Sequence, residues 1–201
     1  EVLRICRKAG INFFDNAEAY GKEQGDAEII MGKAMKTLKE EDPKAWRRSE
    51  IVVSTKLFWG PGGVNCKGLS RKHIMEGITA SLERLQLDYV DLVFCHRSDK
   101  LTPTEETVRA MTDVVRSGKA LYWGTSEWTA QQITEAYWIA KMHNLIPPVM
   151  EQPQYNLFER ARVEKEYERM YLEPYRIGTT IWSPLKSGIL TGKYNKGVAD
   201  G

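Results

Sequence analysis

Short apolar runs rich in Val, Ile and aromatic residues alternate along the chain with longer stretches whose apolar positions recur at helical spacing. The runs cover 11–15, 51–56, 89–96, 120–126, 148–152 and 178–183. They recur roughly every 25 to 40 residues, which matches βαβ units and a parallel sheet. Between them, Ala27, Ile30, Met31, Ala34, Met35 and Leu38 form one helical stripe. Ser70 precedes a second helix with Ile74, Ile78, Leu82 and Leu85 on one side. Thr102-Pro103-Thr104-Glu105 reads as an N-cap, a first-turn Pro and a capping acid, and Gly118 as the stop of that helix. Thr129-Ala130-Gln131-Gln132 repeats the device before Ile133, Ala136, Tyr137 and Ala140. The charged stretch 161–171 predicts a further helix lying on the outside.

Six strand–helix units with no second kind of pattern leave two architectures, an open doubly wound sheet or a (β/α)8 barrel. The strand ends favour the barrel. They read Asp15, Lys56, His96, Ser126, Gln152 and Ser183, and a parallel barrel gathers such ends on the face where chemistry is done. A Rossmann sheet would want G-x-G-x-x-G after its first strand, where Asp15-Asn16-Ala17-Glu18 stands instead. Gly60-Pro61-Gly62-Gly63 has no helix directly behind it and reads as a plain flexible loop. Closure needs eight strands. The expectation is therefore one partial barrel domain over 1–201, truncated at both ends. The opening Glu-Val-Leu-Arg-Ile-Cys reads as the middle of a helix, and 197–201 as a polar loop.

Composition narrows the function classes. Twenty-nine Lys and Arg against 27 Asp and Glu leave a formal charge of +2, too even for a phosphate-binding nucleic-acid partner. An apolar share of 42% supports a sizeable core and argues against disorder. No apolar run approaches the ~18 to 20 residues of a spanning helix, so no membrane insertion is expected. No secretory signal is seen. Cys6, Cys66 and Cys95 are odd in number and far apart, which fits a reducing compartment. His73, His96 and His143 have no spacing that gathers a metal.

The strand-end residues carry candidate chemistry. Lys56 closes the apolar run Ile51-Val52-Val53, and a desolvated Lys needs a carboxylate. Asp15 lies on what should be the adjacent strand. Taken singly, Asp15 also reads as an N-cap, Tyr20 as a surface aromatic, His96 as a structural histidine and Trp182 as core. Together Asp15, Tyr20, Lys56 and His96 make one device. A phenol titrates near pH ~10 and needs a neighbouring cation to act as an acid at neutral pH. Lys56 can supply that cation, Asp15 can hold it, and His96 can orient a substrate carbonyl. A carbonyl that receives hydride needs a proton at that moment, which Tyr20 can give.

Asp15-Asn16-Ala17-Glu18-Ala19-Tyr20-Gly21, Ser54-Thr55-Lys56 and Asp91-Leu92-Val93-Phe94-Cys95-His96-Arg97 resemble the tetrad segments of the aldo-keto reductase superfamily. Trp46-Arg47-Arg48-Ser49, Gly68-Leu69-Ser70-Arg71-Lys72-His73-Ile74, Ser81-Leu82-Glu83-Arg84-Leu85, Glu105-Glu106-Thr107-Val108-Arg109-Ala110-Met111 and Tyr122-Trp123-Gly124-Thr125-Ser126 resemble its voltage-gated potassium channel β-subunit branch, plant-like members in particular. The resemblance implies strands 2 to 7 of an aldo-keto reductase barrel that binds NADP(H) without a Rossmann fold. It implies Tyr20 as proton donor, Lys56 and Asp15 as its tuning pair, with Asp15 also at the cofactor, and His96 as carbonyl orienter. Ser126 and Gln152 would hold the nicotinamide carboxamide, and Trp182 would stack on the ring. Ser183, Pro184, Leu185, Lys186, Ser187 and Gly188 would form the pyrophosphate loop, and Lys193 would face the ribose phosphate.

Two functions follow from the resemblance. One is NADPH-dependent reduction of small aldehyde or ketone substrates. The other is a cytoplasmic regulatory subunit that docks to the cytoplasmic domain of a potassium channel, peripheral to the membrane, with bound NADP(H) as redox sensor. The branch also implies a homo-tetramer for the full-length protein. Three departures stand out. The segment 22–45 is long and charged and reads as a surface insertion extending a helix, Lys186 replaces a small residue, and Glu127 stands where an Arg would favour anion binding.

Overall fold

The computed structural model describes residues 1–197; the last four residues of the polar stretch 197–201 lie outside the described residues. Six strands form one all-parallel sheet in chain order: β1 (Phe13–Asp15), β2 (Val52–Leu57), β3 (Val90–Cys95), β4 (Ala120–Ser126), β5 (Met150–Gln152) and β6 (Gly178–Thr179). Each falls within one or two residues of an apolar run except β6, which stops after Thr179. Beyond it the pairing continues more loosely, with Thr180 N–H on the Glu151 carbonyl and Trp182 N–H on the Pro153 carbonyl.

Side-chain alternation sorts the two faces. On β2, Ser54 and Lys56 reach Asp15 inside, while Thr55 reaches Glu28 on the helical layer. The sheet curls strongly. Gln152 Nε2 on β5 lies 3.3 Å from Asp15 Oδ1 on β1, whereas four flat strand spacings would separate these strands by ~19 Å. The architecture is thus six of the units of a (β/α)8 barrel, curled so that the strand ends converge.

The outer layer is α1 (Val2–Lys8), α2 (Asp26–Glu41), α3 (Arg71–Leu85), α4 (Thr104–Arg116) and α5 (Ala130–Met142). Ser70 caps α3 by accepting the His73 N–H, and Ile74, Ile78, Leu82 and Leu85 are all buried against the sheet. Thr129 and Gln132 form the full capping box on α5. The box expected at Thr102 does not form. Its hydroxyl donates to Asp99 at 2.7 Å, and α4 begins at Thr104 behind Pro103.

Four further expectations change. The 22–45 segment is helical as expected, most of it being α2, but it does not lie on the surface: Met31, Met35 and Leu38 enter the core and Glu28 is fully buried. Ile30, counted in the stripe, is exposed. Gly60 is not part of a plain loop. Its φ is +48°, and a Cβ there would lie 1.3 Å from the Cys66 carbonyl oxygen. Stretch 161–171 is not one regular helix but a π-type turn, Arg162–Glu166, followed by a 3-10 turn, Glu168–Tyr171. The break turns Tyr167 inward, where its hydroxyl donates to the Trp128 carbonyl and lies 3.3 Å from Glu151 Oε1.

Glu151 sits on the helix-facing side of β5 with no exposed surface and accepts the Thr125 hydroxyl. Burial pushes its carboxyl up to about 7, against the hydrogen bonds that favour ionisation. A carboxyl raised in the folded state keeps its proton while the unfolded chain ionises. Stability is therefore lost as pH rises from about 4.5 through 7. Thermal unfolding of wild type and Glu151→Gln at pH 5 and pH 8 checks this. The wild type is expected to lose on the order of 2 kcal/mol relative to the variant over that interval.

Candidate functional site

The interior ends of the strands meet around one ion pair, a fully buried Lys56 held by an Asp15 that still borders solvent. The Lys56 side chain has no exposed surface, and its ammonium donates to Asp15 Oδ2 at 2.6 Å and to the Asn16 carbonyl at 2.7 Å. An unpaired ammonium there would be strongly destabilising. Asp15 Oδ1 accepts the Ser54 hydroxyl at 2.5 Å and Gln152 Nε2 at 3.3 Å. One carboxylate thus ties β1 to β2 and, across the curl, to β5.

Tyr20 returns to this pair through a tight segment after β1. Asn16 and Glu18 continue the pairing with β2 through the Ser54 and Lys56 carbonyls, and Tyr20 N–H closes a turn on Ala17. Its ring centre lies 4.7 Å from Lys56 Nζ, within cation–π range. His96 meets the same ring edge-on at 5.7 Å. Tyr20 is 38% exposed, so it borders solvent while Lys56 does not. His96 is buried, and its Nδ1 has no hydrogen-bond partner. Burial first, then the charges of Lys56 and Arg97, push the imidazole down to about 4, so it is neutral near pH 7.

Glu18 fixes this segment and escaped sequence reasoning. Its Oε1 accepts Phe58 N–H at 2.5 Å, Gly60 N–H at 3.0 Å and His73 Nε2 at 3.2 Å. Burial raises its carboxyl, but the hydrogen bonds from His73, Phe58 and Gly60 outweigh burial and hold it below its ordinary value. The only signal was an acid inside the Asp15–Tyr20 motif; its partners lie on a distant loop.

The remaining candidates divide into two groups. Ser126 and Gln152 adjoin the ion pair: Ser126 Oγ donates to the Gln152 carbonyl at 2.9 Å, and Gln152 Nε2 also reaches Thr180 Oγ1 at 3.0 Å. Trp182 follows β6, its indole N–H donating to Glu127 Oε1 at 2.9 Å. Glu127 has φ +58° and also accepts Gln154 N–H, while Arg162 lies 3.4 Å from its second oxygen. Its charge is committed within the protein, and it orients Trp182.

The second group is the loop after Trp182. Ser183, Lys186, Ser187 and Gly188 all have left-handed φ, and the step from Leu185, at φ −104°, to left-handed Lys186 is the right-then-left turn that gathers backbone N–H groups into an anion-binding concavity. A Cβ on Gly188 would lie 2.7 Å from Lys193 Nζ, so a cation lies beside this bare backbone. Pro184 and Leu185 are exposed. The Lys186 ammonium turns away to Glu159 at 2.8 Å, neither free in solvent nor on the loop. The chemistry of this loop fits a phosphate-bearing cofactor.

Arg97, directly after His96, also went unassigned. Its Nη1 donates to the His96 carbonyl and lies 3.5 Å from Ser126 Oγ. Among the described residues no helix is long and apolar enough to cross a membrane, and no His, Cys, Asp and Glu cluster could hold a metal ion.

Comparison with known proteins agrees with this architecture. The chain is 60% identical over 196 residues to a protein of Oryza sativa subsp. japonica named "Probable voltage-gated potassium channel subunit beta". It is 58% identical over 197 residues to a protein of the same name from Arabidopsis thaliana. Each alignment covers 98% of this chain but 57% of the relative, so the chain spans little more than half their length. The model of the aldo/keto reductase family matches residues 1–200, and the chain belongs to that family.

Proposed function

We propose that the full-length protein is an NADPH-dependent reductase of aldehyde and ketone carbonyls, with Tyr20 as its proton donor. The observation that supports this most is the placement of the Tyr20 ring against the buried Lys56 ammonium, itself held by Asp15, with neutral His96 edge-on beside it. A bound nicotinamide nucleotide supplies the hydride to the carbonyl carbon. The chain's own residues handle the charge that then develops on the oxygen. Tyr20 gives the hydroxyl proton, and Lys56 places positive charge beside the ring that gives it up. Asp15 keeps that ammonium charged and fixed. His96 Nδ1 is buried with no acceptor, so the tautomer protonated at Nε2 leaves no buried donor unsatisfied and offers Nε2–H to the carbonyl oxygen. Donors aimed in advance at a developing oxyanion supply a large share of catalysis.

On this reading Ser126 and Gln152 hold the nicotinamide carboxamide, and Trp182, set by Glu127, offers an apolar face to the uncharged ring. The backbone of Ser183, Pro184, Leu185, Lys186, Ser187 and Gly188 wraps the pyrophosphate. Lys193 meets the ribose phosphate, which favours NADP(H) over NAD(H).

A second reading is favoured by the relatives' names: a regulatory subunit that docks, as a cytoplasmic tetramer, on the cytoplasmic domain of a potassium channel, with cofactor redox state as its signal. Co-purification of the full-length protein with such a domain, retained in Tyr20→Phe, supports that role. No retention of the domain by wild type contradicts it.

Tyr20→Phe is expected to lower kcat on 4-nitrobenzaldehyde by about 10²- to 10⁴-fold, the range of general acid catalysis. NADPH affinity, read from its fluorescence, should change little. Undiminished turnover would overturn the assignment. The His96 imidazole is expected to titrate near 4 by NMR. A lowered histidine keeps the fold neutral, so its effect on stability is felt as pH falls from about 6.5 towards 4, where the unfolded chain takes up the proton first. No limb from this group should then appear in the rate profile between pH 6 and 8.

A further inference from the structure

The charged groups around the proposed proton donor include one uncompensated cation. Lys56 is neutralised by Asp15, His96 is uncharged near pH 7, and Glu127 is met by Arg162 and two N–H groups. Arg97 has no carboxylate within ion-pair distance among the described residues. Its neighbour Asp99 is taken by the Leu69 and Leu101 N–H groups and the Thr102 hydroxyl.

Arg97 is also held in place. Nη1 donates to the His96 carbonyl and approaches Ser126 Oγ, which fixes the guanidinium between the ends of β3 and β4. Nε and Nη2 make no hydrogen bond among the described residues, and neither is a buried orphan. These two N–H groups form the edge of a guanidinium that meets a carboxylate with two parallel hydrogen bonds. The fork is thus anchored at one corner and open along the edge that recognises a planar anion, one residue from His96.

We infer that Arg97 sets the substrate class: the site takes aldehydes or ketones that carry a carboxylate, which docks on the open Nε–Nη2 edge while the carbonyl lies at Tyr20 and His96. The inference rests on the reductase reading for the carbonyl but not for the anion. Its geometry assigns Arg97 to substrate selection and leaves proton transfer to Tyr20. A flexible lysine would supply the charge without the fork.

The test uses the full-length protein loaded with NADPH and two matched probes, 4-carboxybenzaldehyde and its methyl ester. Binding is read from NADPH fluorescence and turnover from NADPH absorbance. Wild type is expected to bind and turn over the carboxylate about tenfold or more better than the ester, the scale of a charge-assisted pair at a partly exposed site. Arg97→Gln should erase that preference, and Arg97→Lys should keep part of it. Equal affinity of wild type for the two probes overturns the inference, as does an Arg97→Gln variant that loses both probes equally. A selective loss of NADPH over NADH affinity in Arg97→Gln also overturns it, since the guanidinium would then serve the cofactor phosphate. A carboxylate preference in binding with no turnover of either probe supports the anion site and overturns the reductase reading.

Discussion

An ammonium with no exposed surface requires a counter-charge, and the interior of this sheet is arranged around satisfying Lys56. Asp15 supplies the charge and the Asn16 carbonyl a second acceptor. The remaining oxygen of Asp15 then collects Ser54 from the neighbouring strand and Gln152 from four strands away. That last bond can exist only in a curled sheet. Fold and site are thus linked through one group: the curl brings the strand ends to Asp15, and Asp15 holds the cation on which the Tyr20 ring rests.

The loops around this centre share one device. Buried or half-buried carboxylates accept backbone N–H groups from a different unit. Glu18 takes Phe58 and Gly60, Asp91 takes Val53 together with Arg48, Asp99 takes Leu69, and Glu127 takes Gln154. A carboxylate desolvated without partners would be expensive, and hydrogen bonds to the ionised form offset that. Each acid thereby ties adjacent βα units. Glu127 and Glu18 do so next to Trp182 and Tyr20, so the staples that hold the loops also aim the aromatic rings.

Much of this was legible in the sequence because it depends on local period or on strict charge balance. The β2 run and the α3 stripe appear where alternation and helical spacing place them. Lys56 at the end of an apolar run demanded an acid, and Asp15 on the next strand was the available one. The failures have physical causes. Thr102 lost its cap because α4 starts one residue later, behind Pro103, while its hydroxyl is turned to Asp99; Thr129 stands directly at the N-cap and accepts the Gln132 N–H. Stretch 161–171 broke from helix because Tyr167, by turning inward, buries its ring and gives its hydroxyl to the Trp128 carbonyl beside Glu151. The 22–45 segment hid Glu28, whose partners Thr55 and Arg84 are distant in sequence. Glu18 and Glu127 were invisible as staples because their donors depend on loop conformations, including a left-handed Glu127, that no spacing encodes.

The central claim is that the Lys56–Asp15 pair is coupled, the buried Lys56 charge tolerable only because of Asp15. A double-mutant cycle on chemical unfolding of the full-length protein tests it most directly, with Asp15→Asn, Lys56→Met and the two combined. The account predicts that Asp15→Asn alone costs about 3–5 kcal/mol and that adding Lys56→Met recovers much of the loss, because the stranded ammonium is removed. Additive effects, or an Asp15→Asn variant as stable as wild type, would contradict it.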